Sequence, residues 1–291
     1  MDHRPIDQGQ QPARLIPMQA EHLAQAHDLS RALNWPYRLE DWAFALRVGH
    51  GLVVERDGQV LGTALWWLYG DDVASVGMVI VSPQARRQGI GGRLMEALLA
   101  QVAGRRVVLN ATPDGLPLYR RLGFVPYGAV RQHQGVLPVA PHIGGDAAIR
   151  PCAAGDLSAL HALDRAGSGM ERKALIEALS AVGQVSVLER GGVVRGYGCV
   201  RIWGRGVVIG PVVAQGQADA RDLIAALAAD RQGQFVRVDV TRASDLSPWL
   251  EGIGLPLVDE VIAMATGSQP ATPPASRDGA ALFALANQSL G

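Results

Sequence analysis

Residues 76–93 read VGMVIVSPQARRQGIGGR, and this stretch decides how the chain folds. It opens with an apolar run, Val76 to Val81, that has the length of a strand. Ser82 and Pro83 then break the run. Beyond a basic, glycine-rich loop, the apolar residues lie on one face of a helix, at Leu94, Met95, Leu98, Leu99 and Val102. The stretch therefore predicts a strand, a glycine-rich loop and an amphipathic helix in succession.

This arrangement is typical of a binding site for anions. The unpaired N–H groups of a first helical turn point at the ligand, and the helix dipole adds about half a positive charge. Glycines leave room for a phosphate beside the backbone, and arginines supply positive charge. The glycines are Gly89, Gly91 and Gly92, and the arginines are Arg86, Arg87 and Arg93. A ligand that carries phosphate groups is expected here.

Other interpretations of the glycines remain open at this point. A tight turn without any ligand is one alternative. A P-loop needs Gly-Lys-Ser/Thr, and this loop has no lysine. A dinucleotide fingerprint needs its first glycine directly after the strand, whereas Ser82 to Arg87 intervene here.

The pattern Arg86-x-x-Gly89-x-Gly91 resembles the pyrophosphate loop of the GCN5-related N-acetyltransferases (GNAT). Three further segments agree with that family in order and spacing. They are a hairpin from Leu52 to Tyr69 that turns at Asp57-Gly58, a strand at 107–111, and Tyr119-x-x-x-Gly123-Phe124. The resemblance spans about residues 13–135. It implies an α/β (α+β) fold, with a mixed, mostly antiparallel sheet flanked by helices.

Composition sets further limits. The chain has 291 residues, a formal net charge of +0 and only two cysteines, Cys152 and Cys199. This length favours two domains. The balanced charge favours neither nucleic acid nor a membrane as partner. We interpret both cysteines as buried or neutral, and we expect no metal, since no Cys/His cluster has zinc spacing. No signal peptide or membrane span is predicted, so we expect a cytoplasmic protein.

The second half of the chain repeats the first. Ile149-Arg150-Pro151 matches Leu15-Ile16-Pro17, Gly196 matches Gly62, and Gly210 matches Gly77, all at a nearly constant offset. A register kept over several elements indicates two copies of one fold. The second copy has no Arg-x-x-Gly-x-Gly, and it carries Leu250 where the first has Tyr119 and Asp239 near the position of Asn110. We interpret it as a degenerate copy that is structural or that walls off the substrate pocket.

These observations predict the following domains. They are a disordered N-terminus (1–12), a catalytic N-terminal GNAT domain (13–135), a linker (136–146), a degenerate GNAT-like domain (147–266) and a tail with a short helix (267–291). The first domain is predicted to close with a strand from Phe124 to His133. A monomer and a homodimer both remain open, because a tandem pair can replace the dimer of single copies.

The resemblance implies acetyl-CoA as co-substrate. Its pyrophosphate is assigned to the backbone of residues 88–92 (Gln88, Gly89, Ile90, Gly91 and Gly92), with Arg86, Arg87 and Arg93 nearby. Backbone groups of Val79, Ile80 and Val81 are assigned to the thioester, where the neighbouring strand is expected to splay away. Asn110 suits a hydrogen bond to the pantetheine arm, although a role as a turn cap is an equal alternative.

Tyr119 stands where the family places a proton donor for the departing thiolate. The alternative is a core tyrosine that packs on the CoA chain. The amine must also lose a proton before it attacks, and the central strand carries no carboxylate for this. Asp71, Asp72 and His133, or a chain of water molecules, are the candidates for the base.

The acceptor pocket is expected to take its walls from the first interhelical loop and the hairpin. The candidates are Trp35, Tyr37, Arg38, Trp42, Trp66, Trp67 and Tyr69, together with His133. About half of the aromatic residues are expected to belong to the core. Arg38 would suit the carboxylate of an amino-acid-like acceptor. The sequence thus favours an N-acetyltransferase that acts on a small amine. A non-catalytic acyl-CoA sensor and a protein or peptide N-acetyltransferase are the alternatives.

Overall fold

The structure, a computed structural model, describes residues 12–144, 146, 148–267 and 279–291. The predicted disordered N-terminus lies outside the described residues, apart from Pro12. Most of the linker is described. Of the predicted tail, residues 268–278 lie outside the described part.

The first copy follows the order that the sequence predicts. In chain order its elements are β1 (Arg14–Pro17), α1 (Leu23–Ala32), α2 (Leu39–Arg47), β2 (His50–Arg56), β3 (Gln59–Tyr69), β4 (Val73–Val81), α3 (Ile90–Gln101), β5 (Arg106–Ala111), α4 (Leu116–Arg121) and β6 (Val125–Val136). Asp57 and Gly58 both have a positive φ, 51° and 75°, as a two-residue hairpin turn requires. The predicted hairpin is therefore confirmed.

The second copy repeats this order. Its elements are β7 (Ala148–Pro151), α5 (Leu157–Ser168), α6 (Lys173–Val182), β8 (Gln184–Arg190), β9 (Val193–Trp203), β10 (Gly206–Ala214), α7 (Gln217–Ala228), β11 (Phe235–Thr241), α8 (Ser247–Gly252) and β12 (Leu257–Ala265). One more strand, β13 (Ala281–Ala284), follows. The internal repeat read from the sequence thus corresponds to a repeated series of elements.

The described strands of both copies form one continuous sheet, in the order β1-β2-β3-β4-β5-β12-β6-β11-β13-β10-β9-β8-β7. Each copy has lent its sixth strand to the other. β12 pairs with β5, β6 pairs with β11, and the two lent strands pair with each other at the centre. The expectation that β6 closes the first domain is wrong. β6 pairs with β11 along one edge and with β12 along the other, so it joins the two halves of the sheet and does not end the first one.

The predicted domain boundaries stay predictions, because the two copies share this sheet. The fold class holds for each copy, with a mixed and mostly antiparallel set of strands flanked by helices. What the sequence did not indicate is that the two sheets merge.

The predicted helix in the tail is wrong, since Ala281–Ala284 is a strand. β13 enters the gap between the parallel strands β10 and β11, which pair only from Val207 to Ile209. Ala284 is the partner of Val212 on one side and of Val240 on the other. The run of Ala, Leu and Phe fits either structure. The unpaired backbone groups of two splayed strands therefore select the extended form.

A buried ion pair lies in the second copy, beside the contact between the two halves. The Arg172 side chain has no exposed surface, and its Nη2 lies 2.5 Å from Oδ1 of Asp164. The Tyr197 hydroxyl donates to the same carboxylate oxygen at 2.6 Å. The carboxylate of Asp164 is thereby held by two polar side chains inside an apolar core, while Nη1 of Arg172 has no partner among the described residues.

Both cysteines are free thiols. Cys199 is buried, and burial raises the pKa of its thiol to about 11. Burial also raises the pKa of Cys152. The interpretation of both as buried or neutral is confirmed. Among the described residues, no helix has the length and apolar content needed to cross a membrane, and no cluster of His, Cys, Asp and Glu has the arrangement of a metal site.

Candidate active site

The glycine-rich loop forms an open cradle at the start of α3. Arg87 and Gly89 turn the chain with φ angles of 63° and 75°, and Gly89 caps the helix without a side chain. A methyl group added at Gly89 or Gly92 would meet nothing within 4 Å. The first N–H groups of a helix have no partner within the helix, and the loop leaves room for an anion beside Gly89 and Gly92.

The central strands splay next to this cradle. The parallel pairing of β4 with β5 ends at Val76 and Leu109. Beyond that point Met78 takes a φ of 50°, the register against β3 shifts, and Thr63 Oγ1 donates to the Met78 carbonyl at 2.8 Å. The backbone of residues 77–81 therefore has no strand partner on its β5 side among the described residues. Val79, Ile80 and Val81 lie where the sequence assigned them, along this free edge.

The cradle and the splay open into one cavity of about 960 Å³. Its lining includes most of the residues assigned to acetyl-CoA, namely Val79, Ile80, Val81, Arg86, Arg87, Gly89, Ile90, Gly91, Gly92, Asn110 and Tyr119. The side chains of Gln88 and Arg93 lie outside it. Gln88 accepts a hydrogen bond from Arg56, and Arg93 donates to the Ala13 carbonyl. The part of these two residues assigned to a ligand in the cradle is therefore their backbone.

Tyr119 lies on the wall of the cavity with 8% of its surface exposed. Its ring also packs edge-on against Phe124 at 5.9 Å, and its role as a proton donor stays a prediction. Burial raises the pKa of its hydroxyl to about 12, which keeps the phenol protonated at neutral pH. The hydroxyl has no hydrogen-bond partner among the described residues. Gly115 makes room for the ring, because a methyl group there would lie 2.7 Å from Cε2 of Tyr119.

Asn110 offers one free acceptor to a ligand. Its Nδ2 donates to the Gln288 carbonyl at 2.7 Å, whereas its buried Oδ1 has no partner among the described residues. An unpaired buried oxygen is costly, and an N–H group of a bound molecule would satisfy it. The geometry fits a pantetheine amide at this position, which remains a prediction.

The predicted acceptor residues divide into two groups. Trp35 and Tyr37 line the cavity. The other aromatic residues lie in the core or in contacts between elements, because their rings fill the space between helices and sheet. They are Trp42, Trp66, Trp67 and Tyr69, which are at most 7% exposed.

Arg38 and His133 are not brought to the cavity either. Arg38 is held by Asp41, through Nη2 at 2.6 Å and its backbone N–H at 2.9 Å. His133 is fully buried, with its ring nitrogens 2.9 Å from the Leu255 carbonyl and the Ser247 hydroxyl. The candidate bases Asp71 and Asp72 lie exposed on the β3–β4 turn, outside the cavity. Arg38 and His133 are thus held by other residues, and Asp71 and Asp72 lie away from the cavity.

The far wall of the cavity was not predicted from the sequence. This wall comes from the exchanged strand β6, from the second copy and from the segment that follows β13: Gln132, Gln134, Arg205, Arg237, Asp259, Gln288 and Ser289. An amide chain connects part of it, since Gln288 donates to Gln132 at 3.2 Å and Gln132 donates to Gln134 at 2.9 Å. Gln132 and Gln134 belong to the lent strand β6, so the exchange of strands brings this wall to the site.

The segment after β13 crosses both central strands at matching glycines. In the second copy, a methyl group at Gly210 would lie 1.9 Å from the Leu285 carbonyl oxygen. In the first copy, a methyl group at Gly77 would lie 2.6 Å from Cβ of Ser289, and Ser75 donates to the Ser289 carbonyl at 2.9 Å. The match of Gly77 with Gly210 was the one sequence signal of this close approach.

The part of the second copy that the structure describes is closed where the first copy has its cavity. β13 fills the gap between β10 and β11, which corresponds to the gap that is open between β4 and β5. Gly216, at the start of α7, is extended with a φ of −159° instead of turning into a cradle. The expectation that the second copy has lost its pyrophosphate site agrees with both features.

Replacing Gly77 by alanine is expected to lower the free energy of unfolding by about 1–3 kcal/mol, because the new methyl group would overlap the Ser289 backbone. Urea unfolding of both proteins measures this difference. Gly252→Ala is the matched control, since a methyl group at Gly252 meets nothing within 4 Å. Equal stability of the Gly77 variant and the control would contradict the packing of segment 285–290 on β4.

Comparisons with known proteins agree with two copies of one fold. Two family models match the chain, both described as an acetyltransferase (GNAT) domain, one over residues 47–126 and the other over residues 160–277. The chain is 28% identical over 233 residues to the uncharacterized N-acetyltransferase YitH of Bacillus subtilis (strain 168), across 78% of this chain and 81% of YitH.

Solved structures show the same fold along the whole chain. A Pyrococcus horikoshii protein assigned as an acetyltransferase superposes with a TM-score of 0.79, at 18% identity, over 100% of this chain and 99% of its own. A tandem GNAT protein from the clavulanic acid biosynthesis pathway superposes with a TM-score of 0.63, at 17% identity, over 89% of this chain and 100% of its own. A tandem arrangement of two copies thus has a counterpart among solved structures.

Proposed function

We propose that this chain, which belongs to the GNAT acetyltransferases through both of its halves, transfers the acetyl group of acetyl-CoA to the amine of a small molecule in its first domain. One observation carries the proposal. The first copy has a glycine cradle, a splayed central strand and a protonated tyrosine around one cavity, whereas the chain itself fills the matching gap of the second copy.

The residues of the first domain fit acetyl-CoA in three places. The open cradle with Arg86 and Arg87 suits a pyrophosphate. The backbone of residues 79–81, which has no strand partner on its β5 side among the described residues, suits the pantetheine arm and the thioester oxygen, on which negative charge develops. The free Oδ1 of Asn110 suits an amide N–H of the same arm. Acetyl-CoA supplies the activated acetyl group.

The transfer exchanges one bond for another. The amine nitrogen forms a bond to the acetyl carbon, and the bond from that carbon to sulfur breaks with its electron pair on sulfur. Tyr119 donates a proton to the sulfur, and the proton released by the amine passes to a base or to water. Because the pKa of Tyr119 is raised to about 12, its hydroxyl holds this proton at neutral pH.

A carboxylate that the sequence did not indicate stands at the acceptor end of the cavity. Asp259 of β12 is exposed there, while Asp114 lies near the cradle within 4.0 Å of Arg86. These two are the carboxylates among the described lining residues. We infer that Asp259, directly or through water, takes the role for which Asp71, Asp72 and His133 were candidates.

Gly91→Glu is expected to raise the dissociation constant of acetyl-CoA at least tenfold, or about 1.4 kcal/mol. A carboxylate in the first turn of α3 would occupy the cradle and repel the pyrophosphate. The dipole there favours the new carboxylate, so the fold should persist. Isothermal titration calorimetry of the full chain measures the affinity, and it should find one site per chain in the wild type.

Ala218→Glu provides the matched control, because Ala218 is the second residue of α7 as Gly91 is of α3. It should bind acetyl-CoA like the wild type. If Ala218→Glu weakens binding and Gly91→Glu does not, the assignment to the first domain is wrong. A second assay follows the release of CoA with a panel of amines. Binding without turnover of any amine would favour a non-catalytic sensor.

A further inference from the structure

The acceptor end of the cavity carries charged groups from the second copy. Arg205 lies on the turn between β9 and β10, Arg237 on β11 and Asp259 on β12. Trp35 and Tyr37 of the first copy face the same space. Flat apolar surfaces and ionised groups therefore meet where the acceptor must bind.

One of the two arginines is already neutralised. Arg237 donates to both carboxylate oxygens of Asp239 at 2.9 to 3.1 Å, and Asp239 is fully buried. This pair satisfies the charge of Arg237 without any ligand. Its Nη1 makes no hydrogen bond to the described residues, so the two N–H donors of that nitrogen remain.

Arg205 has no such partner. It is exposed, it lies 5.8 Å from the centre of the Phe235 ring, and it forms no ion pair with any described carboxylate. The turn that carries it is fixed against the first copy. Gly204 donates its N–H to Asp41 at 2.8 Å, and the chain there is close to the Pro36 carbonyl. A rigid turn thus presents an uncompensated guanidinium to the cavity.

We propose that the acceptor is an amine that also carries a carboxylate, and that Arg205 binds this carboxylate. Guanidinium groups recognise carboxylates through two parallel hydrogen bonds. Arg237 Nη1 offers a further donor, and Asp259 offers an acceptor for the ammonium group at the other end of the same molecule. An amino-acid-like acceptor with a flat or apolar side chain matches these groups together with Trp35 and Tyr37.

This recognition replaces the one expected from the sequence. Arg38 had been the candidate for a substrate carboxylate, but Asp41 holds it and it does not line the cavity. Asp41 also anchors Gly204, so the residue that removes Arg38 from the site helps to position Arg205. The inference rests on the proposed acetyl transfer for the identity of the acceptor. The recognition of a carboxylate can be measured separately from it.

The test compares amino acids with their carboxamides, which keep the amine and lose only the charge of the carboxylate. Tyrosine, phenylalanine, tryptophan and leucine, each with its amide, are titrated by calorimetry into the full chain saturated with CoA. We expect at least one amino acid to bind about 10–100 times more tightly than its amide. Arg205→Gln should abolish this preference, Arg205→Lys should retain part of it, and the affinity for CoA should not change.

Arg31→Gln is the matched control, since Arg31 is an exposed arginine on α1 outside the cavity. It should keep the full preference. Equal affinity of every acid and its amide, no binding of any acid, or a preference that survives in Arg205→Gln would each overturn the inference. Turnover of amines without regard to a carboxylate would overturn it while leaving the acetyltransferase intact. Failure to bind acetyl-CoA would instead refute the proposed function.

Discussion

Replacing Tyr119 by phenylalanine is expected to lower kcat by about 10²–10⁴-fold, the usual contribution of a general acid. Among the described residues of the first copy, the Tyr119 hydroxyl is the proton donor on this part of the cavity wall. The variant lacks that hydroxyl. Its ring keeps the contact with Phe124, and the missing hydroxyl had no partner in the described structure. Affinity for acetyl-CoA should therefore stay within a factor of two to three, roughly the variation seen in a site that loses no contact.

Steady-state kinetics and calorimetry together separate the two effects. Tyr127→Phe is the control, since Tyr127 is an exposed tyrosine on β6 and does not line the cavity. The pH dependence gives a second check. A pKa raised to about 12 means that Tyr119 loses its proton only at that pH, so it should cause no decline of kcat between pH 7 and 10. If Tyr119→Phe keeps more than half of kcat, the residue serves packing alone.

Replacing Asp164 by alanine is expected to lower the free energy of unfolding by about 3–5 kcal/mol, because it leaves the Arg172 guanidinium buried and unpaired. Burial alone would lower the pKa of Arg172, but the charge and hydrogen bonds of Asp164 raise it above its ordinary value. The change also leaves the Tyr197 hydroxyl without its acceptor. Chemical denaturation of the full chain measures the loss.

Two further variants define what the loss means. Asp28→Ala breaks an exposed pair at 3.7 Å and should cost less than about 1 kcal/mol. The double variant Asp164→Leu/Arg172→Met removes both charges and should recover much of the stability, since apolar residues of similar volume can replace a buried ion pair. A loss below 1 kcal/mol for Asp164→Ala would mean that water reaches Arg172.

The side of the cavity that contains the glycine cradle was predictable, because each of its sequence signals lies within a short stretch of the chain. The cradle, the central strand and the hairpin turn each depend on residues within a few positions of one another, such as Asp57 and Gly58. The contact between Arg38 and Asp41 could also have been predicted. Asp41 stands three residues after Arg38 at the start of a helix, where a carboxylate turns back to cap the backbone.

The acceptor wall was not predictable from local patterns. A strand pattern shows which faces are apolar but not which strand becomes the neighbour, so the places of β6 and β12 stayed hidden. Arg205 and Asp259 reach the cavity only because the two halves share one sheet. The tail was misread for a similar reason, since distant backbone groups of β10 and β11 decide its conformation.

The exchange of strands has a consequence for how the protein is made. Ala111 of β5 must wait for Ile262, about 150 residues later, before its edge is paired. At ribosomal speeds of about 5–20 residues per second, this leaves the first half unfinished for on the order of 10 s. During that interval a nascent chain exposes an open strand edge, which is a target for chaperones and a risk for aggregation. We expect gene fragments cut at the linker to yield less soluble protein when each is expressed alone than when both are produced together.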